Sequence, residues 1–208
     1  MKAINDHVNN LINISEKMFE DKTWDIIYSI NHNNATLLTS REFYDFVLPY
    51  YKFEVTINLS MDKLIEPIWN ATKETLTFDE PTLEHFSVIE EKPSYKIKRQ
   101  INKFPWPCWS RETLYAQHKI KKDNITWIVS YSIDHKEIPI VNDLVRTYVG
   151  ISVYKFTLLE QNKTLVQRVL NVDPGGWIPP FIIKSQLENV IKIFNRWESL
   201  GKKQIKKD

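Results

Sequence analysis

The chain has 208 residues, of which 42% are hydrophobic and 26% are charged, and its formal net charge is +2. This length and composition are typical of one globular domain with a substantial core, so we expect residues 1–208 to form a single domain. The mild charge argues against nucleic acid as a partner, because such proteins usually carry a strongly basic patch. The lone cysteine, Cys108, excludes an internal disulfide framework and a cysteine-based zinc cluster.

The first third of the chain mixes helical and strand patterns. Residues 4–20 carry apolar side chains at helical spacing, which predicts an amphipathic helix. Residues 23–31 and 34–43 predict two strands around a polar turn, and residues 50–59 alternate as a third strand. Ser60 then predicts the N-cap of a helix over residues 61–76.

From residue 83 to residue 172 the chain is dominated by long strand patterns. Segments 83–91, 94–104, 110–120 and 125–134 follow one another through short polar turns. A polar loop over residues 134–143 then leads to two further segments, 144–160 and 164–172. Because hairpin follows hairpin, we expect a curved antiparallel sheet.

The end of the chain predicts a long helix after a sharp turn. The turn is expected at residues 173–176, where two adjacent glycines reach positive φ at low cost. Pro179 and Pro180 suit a helix start, since their missing N–H groups would be unpaired there. One apolar stripe follows, formed by Ile183, Leu187, Val190, Ile191, Phe194 and Trp197. We expect this stripe to pack on the sheet, which makes the fold class α+β.

The sequence motifs of common enzyme classes are missing. The four glycines exclude a glycine-lined phosphate cradle, and the five histidines are scattered without an H-x-x-x-H pair. No G-x-S-x-G motif is present. We therefore predict a protein that is not an enzyme and that uses neither a cofactor nor a metal. With no apolar run long enough for a signal or a membrane span, we also expect a cytoplasmic location.

Two arginines stand out on the predicted strands. Arg99 shares a strand face with Ile97 and Ile101, and Arg146 shares one with Tyr148. A charged group on an apolar inner face must be paired, because its desolvation is costly. Two interpretations stay open: a structural one, in which the arginine forms an internal salt bridge or reaches water at a strand end, and a functional one, in which it anchors the polar headgroup of a ligand inside a cavity.

The residues before the last helix resemble those of the StAR-related lipid-transfer (START) domain family. That family ends its last strand in an Asp/Asn-x-x-Gly-x-x-Pro pattern, which Asp173, Gly176 and Pro179 match, with Trp177 between them.

Two further motifs extend the resemblance. The family's Pro-x-x-x-Arg-Asp pattern is matched by Pro107 and Arg111, with Glu112 in place of aspartate, and Val145-Arg146 matches a Val/Ile-Arg strand start. The order of the predicted elements also agrees over nearly the whole chain.

Two departures concern the lipid headgroup. Some phospholipid-binding members place an arginine three residues before the tryptophan of the second helix, whereas Glu66 stands before Trp69 here. Several members also have an arginine where this chain has Gln117. The resemblance therefore leaves the headgroup open.

The resemblance implies a helix-grip fold, in which a curved antiparallel sheet wraps a long C-terminal helix around an internal lipid cavity. It implies that the protein binds one lipid and transfers it between membranes, as a monomer that contacts the membrane surface transiently. Phospholipid is the favoured cargo, because arginines and tyrosines suit a phosphate, with ceramide and sterol as alternatives. The other possible functions are a sensor that binds lipid without shuttling it and an enzyme on a helix-grip scaffold.

The implied site can be stated residue by residue. The predicted lipid contacts are Arg99, Gln117, Trp127, Tyr131, Arg146, Tyr148, Trp177, Phe181, Leu187 and Val190. Among them, Trp127 would stack on a choline group or form part of a cation–π cage. Trp106, Trp109 and Phe181 are predicted to form a membrane-facing gate, and for the two tryptophans a role in capping the core is the alternative.

Overall fold

The structure is a computed structural model that describes residues 2–30, 35–40, 49–77, 80–179, 181–183, 189–190, 192–193, 195–197 and 199–200, with only the backbone of residues 2–3, 27–30 and 35–40. Its helices are α1 (Lys2–Glu20), α2 (Met61–Trp69) and α3 (Lys73–Thr77). Its strands are β1 (Asp25–Ile30), β2 (Ala35–Ser40), β3 (Tyr50–Ile57), β4 (Leu83–Glu91), β5 (Tyr95–Asn102), β6 (Ser110–Lys122), β7 (Ile125–Ser132), β8 (Leu144–Glu160) and β9 (Lys163–Asp173). The helical residues described between 181 and 200 are called the C-terminal helical segment below.

The strands form one sheet in the order β1-β2-β3-β9-β8-β7-β6-β5-β4. Neighbours in this order pair antiparallel. Where β7 has ended, residues Ser110–Thr113 of β6 pair in parallel with Leu144–Thr147 of β8. The predicted α+β class with an antiparallel sheet is confirmed. The polar turn expected at residues 31–34 lies outside the described residues.

Helix α1 covers one face of the sheet, called the outer face here. Val8 and Leu11 of α1 are buried in a cluster with Val129, Val153 and Val169 of the central strands. The apolar stripe that predicted this helix is therefore the side that packs on the sheet.

The opposite, inner face is covered by α2 and the C-terminal helical segment. One half of the inner face is filled by a buried apolar cluster. In it, Phe53, Phe156 and Val166 of the sheet pack with Leu64 of α2 and Trp197 of the C-terminal helical segment. Burying each such side chain contributes about 1.5–3 kcal/mol, so this half clamps the helices onto the sheet.

The helix predicted over residues 61–76 is wrong between Asn70 and Thr72, where the structure has a break. The Thr72 Oγ1 accepts a 3.3 Å hydrogen bond from the N–H of Thr75, and the N–H of Thr72 donates to Thr75 Oγ1 at 2.9 Å. These reciprocal bonds cap α3 and compete with a continuous helix. Ser60 precedes α2 as predicted, but its side chain makes no capping bond.

Candidate functional site

A cavity of about 370 Å³ occupies the other half of the inner face. It lies between the sheet, the α2–α3 region and the C-terminal helical segment. Its volume is within the range typical of small-molecule sites. The apolar part of its wall is formed by Pro67, Ile68, Ala71, Leu76, Val149, Leu170, Val172, Val190, Ile193 and Trp197.

Arg168 is a cation on this cavity wall. It projects from β9 with its guanidinium carbon 4.4 Å from the centre of the Tyr154 ring. Its Nη2 donates a 3.3 Å hydrogen bond to Ser152 Oγ, whereas its buried Nε has no hydrogen-bond partner. The guanidinium therefore has donor capacity left over inside the cavity.

Glu80 brings a carboxylate to the same cavity. Its Oε2 accepts hydrogen bonds from Gln100 Nε2 at 3.1 Å and from Asn102 Nδ2 at 3.3 Å. Burial and the charge of Glu80 raise the pKa of the Tyr115 phenol, and the charge of Arg168 opposes that rise. Both charges therefore act on Tyr115, and the polar part of the cavity contains an anion, Glu80, and a cation, Arg168.

Gln117 lines the cavity, as predicted, but its amide oxygen is already engaged. Lys98 is 1% exposed, and its Nζ donates to Gln117 Oε1 at 2.7 Å and to the carbonyls of Ile68 and Trp69 at 3.0 and 3.1 Å. Gln117 Nε2 donates to Ser130 Oγ at 3.3 Å. Lys98 therefore fastens the C-terminal end of α2 to the sheet, with Gln117 as its third acceptor.

Arg99 and Arg146 lie on the outer face, not in the cavity. Their Nη2 atoms approach the two carboxylate oxygens of Glu112 at 2.6 and 2.8 Å, and Glu112 is almost fully buried. Of the two interpretations left open, the structure shows the internal salt bridge. On β5 the inward face is the polar one, which includes Gln100 and Asn102, so the apolar pattern around Arg99 pointed to the wrong side.

Trp127 and Tyr131 also lie on the outer face, so their predicted position in the cavity is wrong. Trp127 Nε1 donates to Glu16 of α1 at 2.9 Å, and the Tyr131 hydroxyl lies 3.2 Å from Nε2 of His118. The apolar face of β7 is the one that α1 covers, whereas Ser130 on its other face lines the cavity.

Tyr148 is directed away from the cavity because of a bulge in β8. Val149 pairs with Val172 and Ile151 pairs with Asn171, so Gly150 is an extra residue in the ladder. An extra residue reverses the alternation of faces. Tyr148 is 53% exposed on the same outer face as Arg146, so its predicted contact with a lipid in the cavity is wrong.

An exposed aromatic rim is formed by the three residues predicted as a gate, together with Trp177, which was predicted as a lipid contact. Trp106 is 92% exposed, Trp109 60%, Trp177 71% and Phe181 66%. This exposure is inconsistent with the alternative that Trp106 and Trp109 cap the core. Trp177 and Phe181 do not line the cavity, while Val190 does; Leu187 lies outside the described residues.

Arg111 joins the two parts of the rim. Its guanidinium donates to the carbonyl of Trp109 at 2.5 Å, before β6, and to those of Pro174 at 3.0 Å and Gly175 at 2.9 Å, after β9. A weaker bond reaches the carbonyl of Trp177 at 3.4 Å. Arg111 is itself buried, so this matching residue of the resemblance has a structural role at the rim.

Arg168, Glu80 and Tyr115 are three ionisable cavity residues that were not predicted from the sequence. A signal was present for Arg168, because Val166 and Leu170 flank it at two residues on either side. The same alternation drew attention to Arg99. For Glu80, which lies between elements, periodicity offers no signal.

Two general features of the described residues bear on the site. In these parts of the chain, no helix combines the length and apolar character that a membrane crossing requires. The same residues contain no group of three or more histidine, cysteine, aspartate or glutamate side chains arranged to hold a metal ion.

Sequence comparison relates the chain to lipid-transfer proteins. A family model described as START domain matches residues 55–207. The ceramide transfer protein of Cricetulus griseus is 33% identical over 125 residues, covering 51% of this chain and 21% of that protein. The Homo sapiens ceramide transfer protein is 32% identical over 125 residues, with 51% and 20% covered. The chain thus spans about a fifth of the length of these relatives.

Solved structures share the fold at low sequence identity. Human STARD10 superposes with a TM-score of 0.77 at 15% identity, covering 94% of this chain and 79% of that chain. Human StAR-related lipid transfer protein 5 gives a TM-score of 0.75 at 14% identity, covering 97% and 98%. These likenesses identify the architecture as the helix-grip fold. Because the family model also matches most of its length, the chain belongs to the START domain family.

Proposed function

We propose that this protein binds one lipid in the cavity of the inner face and transfers it between membranes, with phospholipid as the favoured cargo. Membership of the START family supports lipid binding and transfer in general. The relatives named ceramide transfer protein make ceramide the alternative cargo.

The observation that carries the proposal is the two-part cavity. Its apolar wall, with Ile68, Leu170 and Val190, offers acyl chains an environment comparable to a bilayer. Each CH₂ group kept from water is worth about 0.8 kcal/mol, so transfer between membrane and protein can be nearly neutral. The polar part, with Arg168 and Glu80, offers a headgroup partners of either sign.

The aromatic rim supports transient contact with a membrane surface. Trp106 and Trp177 expose large aromatic rings beside the cavity, and tryptophan is enriched at membrane–water interfaces. Arg111 holds the two loops that carry them, so both rings are presented together. A peripheral membrane association follows from this part of the proposal.

A carrier is favoured over an enzyme by the cavity lining. Of the described residues that line it, none is a histidine or a cysteine. His118, the histidine adjacent to Gln117, lies on the outer face in a stack with Tyr131.

A vesicle transfer assay tests the function. Donor vesicles carry labelled phosphatidylcholine, ceramide or cholesterol, and acceptor vesicles are unlabelled. We expect the purified protein to accelerate transfer of phosphatidylcholine. Val190→Asp should abolish it, because a carboxylate on the apolar wall would face the acyl chains in place of an apolar side chain. Trp106→Ala combined with Trp177→Ala should slow transfer about tenfold or more by removing the interfacial anchors.

The control is Leu159→Ala, which removes an exposed apolar side chain near the opposite end of β8. It should leave the transfer rate unchanged. Stoichiometric lipid binding without any acceleration of transfer would show a sensor and reject the carrier. Neither binding nor transfer of any of the three lipids would reject the proposal as a whole.

A further inference from the structure

Arg168 lacks a counter-charge in the part of the chain that the structure describes. No described carboxylate lies within 4.0 Å of its guanidinium nitrogens, and its polar contact is with the neutral hydroxyl of Ser152. The face of Tyr154 covers one side of the guanidinium, and Nε is shielded from water without a partner. Arg99 and Arg146 differ from it, because both pair with Glu112.

Arg168 is partly buried, and a partly buried cation without a counter-charge has lost some of its hydration without gaining an opposite charge, which is costly. Arginine is always protonated in proteins, so this cost cannot be relieved by losing the proton. A guanidinium with free donors pointing into a ligand cavity is instead a ready partner for a planar or tetrahedral oxyanion.

We propose that Arg168 binds the phosphodiester group of a glycerophospholipid headgroup in this cavity. The inference rests on the proposed lipid-binding function and specifies the chemical class of its cargo. Ceramide and sterols carry no formal charge, so either would leave Arg168 without a counter-charge in the cavity. A phosphodiester supplies the missing negative charge and two oxygens that can accept from the guanidinium together.

Glu80 further restricts the charge that the lipid headgroup can carry. Its carboxylate lines the same cavity and acts electrostatically on Tyr115, as Arg168 does. A headgroup with a second negative charge would bring that charge into a cavity that already holds one. Arg111 also lines the cavity, but its guanidinium already donates to backbone carbonyls. A zwitterionic headgroup brings a cation with its phosphate, so the carboxylate of Glu80 suits phosphatidylcholine better than phosphatidylserine.

A lipid extraction assay tests this assignment. Delipidated protein is incubated with dioleoylphosphatidylcholine vesicles that carry radiolabelled phosphatidylcholine, phosphatidylserine or ceramide, and the soluble label is counted after sedimentation. We expect Arg168→Gln to extract about tenfold less phosphatidylcholine than the unaltered protein, the size of losing a charged hydrogen bond. Extraction of ceramide by the variant should not fall. Lys121→Gln, which removes one exposed positive charge on β6, should match the unaltered protein with all three lipids.

Thermal unfolding separates loss of binding from loss of folding. Without lipid, Arg168→Gln should melt at the same or a higher temperature, because it removes an uncompensated shielded charge. Added phosphatidylcholine should raise the Tm of the unaltered protein more than that of the variant.

Three results would overturn the assignment while leaving lipid carriage intact. The first is undiminished extraction of phosphatidylcholine by Arg168→Gln. The second is an equal loss of phosphatidylcholine and ceramide by a variant with normal Tm. The third is extraction of ceramide but not of phosphatidylcholine by the unaltered protein. If the unaltered protein extracted none of the three lipids, both this assignment and the proposed function would be rejected.

Discussion

Lys98 shows how a single buried side chain links the sheet to the wall of the cavity. It is shielded from solvent and donates to two backbone carbonyls of α2 and to Gln117. Burial, and then the neighbouring charge of Lys96, lower the pKa of Lys98 to about 7. The residue is therefore a site where folding and protonation are coupled.

The expected consequence is a stability that rises with pH above neutrality. In the unfolded chain Lys98 regains an ordinary lysine pKa near 10.4, so between about pH 7 and pH 10 the unfolded state binds more protons. The free energy of unfolding should increase over that interval. Lys98→Met, which removes the titrating group, should give a flatter profile in urea denaturation measured from pH 7 to pH 9.5.

Lys92→Met is the matched control, because Lys92 lies on an exposed turn. Its profile should run parallel to that of the unaltered protein. Parallel profiles for Lys98→Met as well would show that the Lys98 ammonium is not destabilised by burial. Tyrosine ionisation below pH 9.5 is partial and is shared by all the variants, so it cancels in the comparison.

Individual site residues were harder to predict from the sequence than the presence of a site. The alternation of apolar and polar residues correctly sorted the two faces of β5 and β7, but it did not show which face is inside. We expected the apolar face of each strand to line the cavity. That expectation was wrong because α1 packs on the apolar outer face, while the residues of β5 that line the cavity, Gln100 and Asn102, are polar. Gln117, named from the family resemblance, and Val190, named from the helical stripe, do line the cavity.

At the scale of elements, the turn between β9 and the C-terminal helical segment depends on two glycines with different surroundings. Gly175 and Gly176 both have positive φ, at 69° and 62°, as their sequence context predicted. A Cβ on Gly175 would lie 2.7 Å from Cγ1 of Val145 and 3.3 Å from the carbonyl oxygen of Arg146. A Cβ on Gly176 would have Arg111 Nη2 as its nearest neighbour, at 4.0 Å.

Alanine substitutions should therefore differ between the two positions. Gly176→Ala introduces only the strain of a left-handed alanine and should destabilise the protein by about 1–2 kcal/mol. Gly175→Ala adds the short contact between the new Cβ and Val145, which requires a shift of Val145 or of β8. We therefore expect the free energy of unfolding to fall by about 2–4 kcal/mol. Chemical denaturation measures both. Equal losses would mean that the approach of β8 to the turn is not tight.

Strands and helices were predicted well from the sequence where their patterns are long. The hairpins from residue 83 to residue 172 appear with nearly the predicted bounds, because each strand is bordered by a polar turn. The two failures are local. The break between α2 and α3 depends on hydroxyl bonds between Thr72 and Thr75, and the bulge at Gly150 depends on pairing with β9. Neither is visible in apolar periodicity.

At the scale of the whole molecule, both faces of one sheet are covered, by α1 on the outside and by α2 with the C-terminal helical segment on the inside. The clusters of the two faces share strands β7, β8 and β9. Such sharing predicts that the described parts of the chain unfold together, as expected for a single domain.

Unfolding experiments with one variant on each face test this expectation. Leu11→Ala on the outer face and Leu64→Ala on the inner face should each destabilise the protein by about 2–5 kcal/mol. Each should shift one common transition, followed by far-ultraviolet circular dichroism and by tryptophan fluorescence. Two transitions, each moved by only one of the variants, would contradict a single domain.

The bonds of Arg111 have a consequence for how a guest reaches the interior. Because the buried Arg111 guanidinium donates to carbonyls of both tryptophan-bearing loops, separating the loops would break several hydrogen bonds at once. We therefore expect the two loops to move together. On this expectation, a guest enters by displacement of another part of the cavity wall.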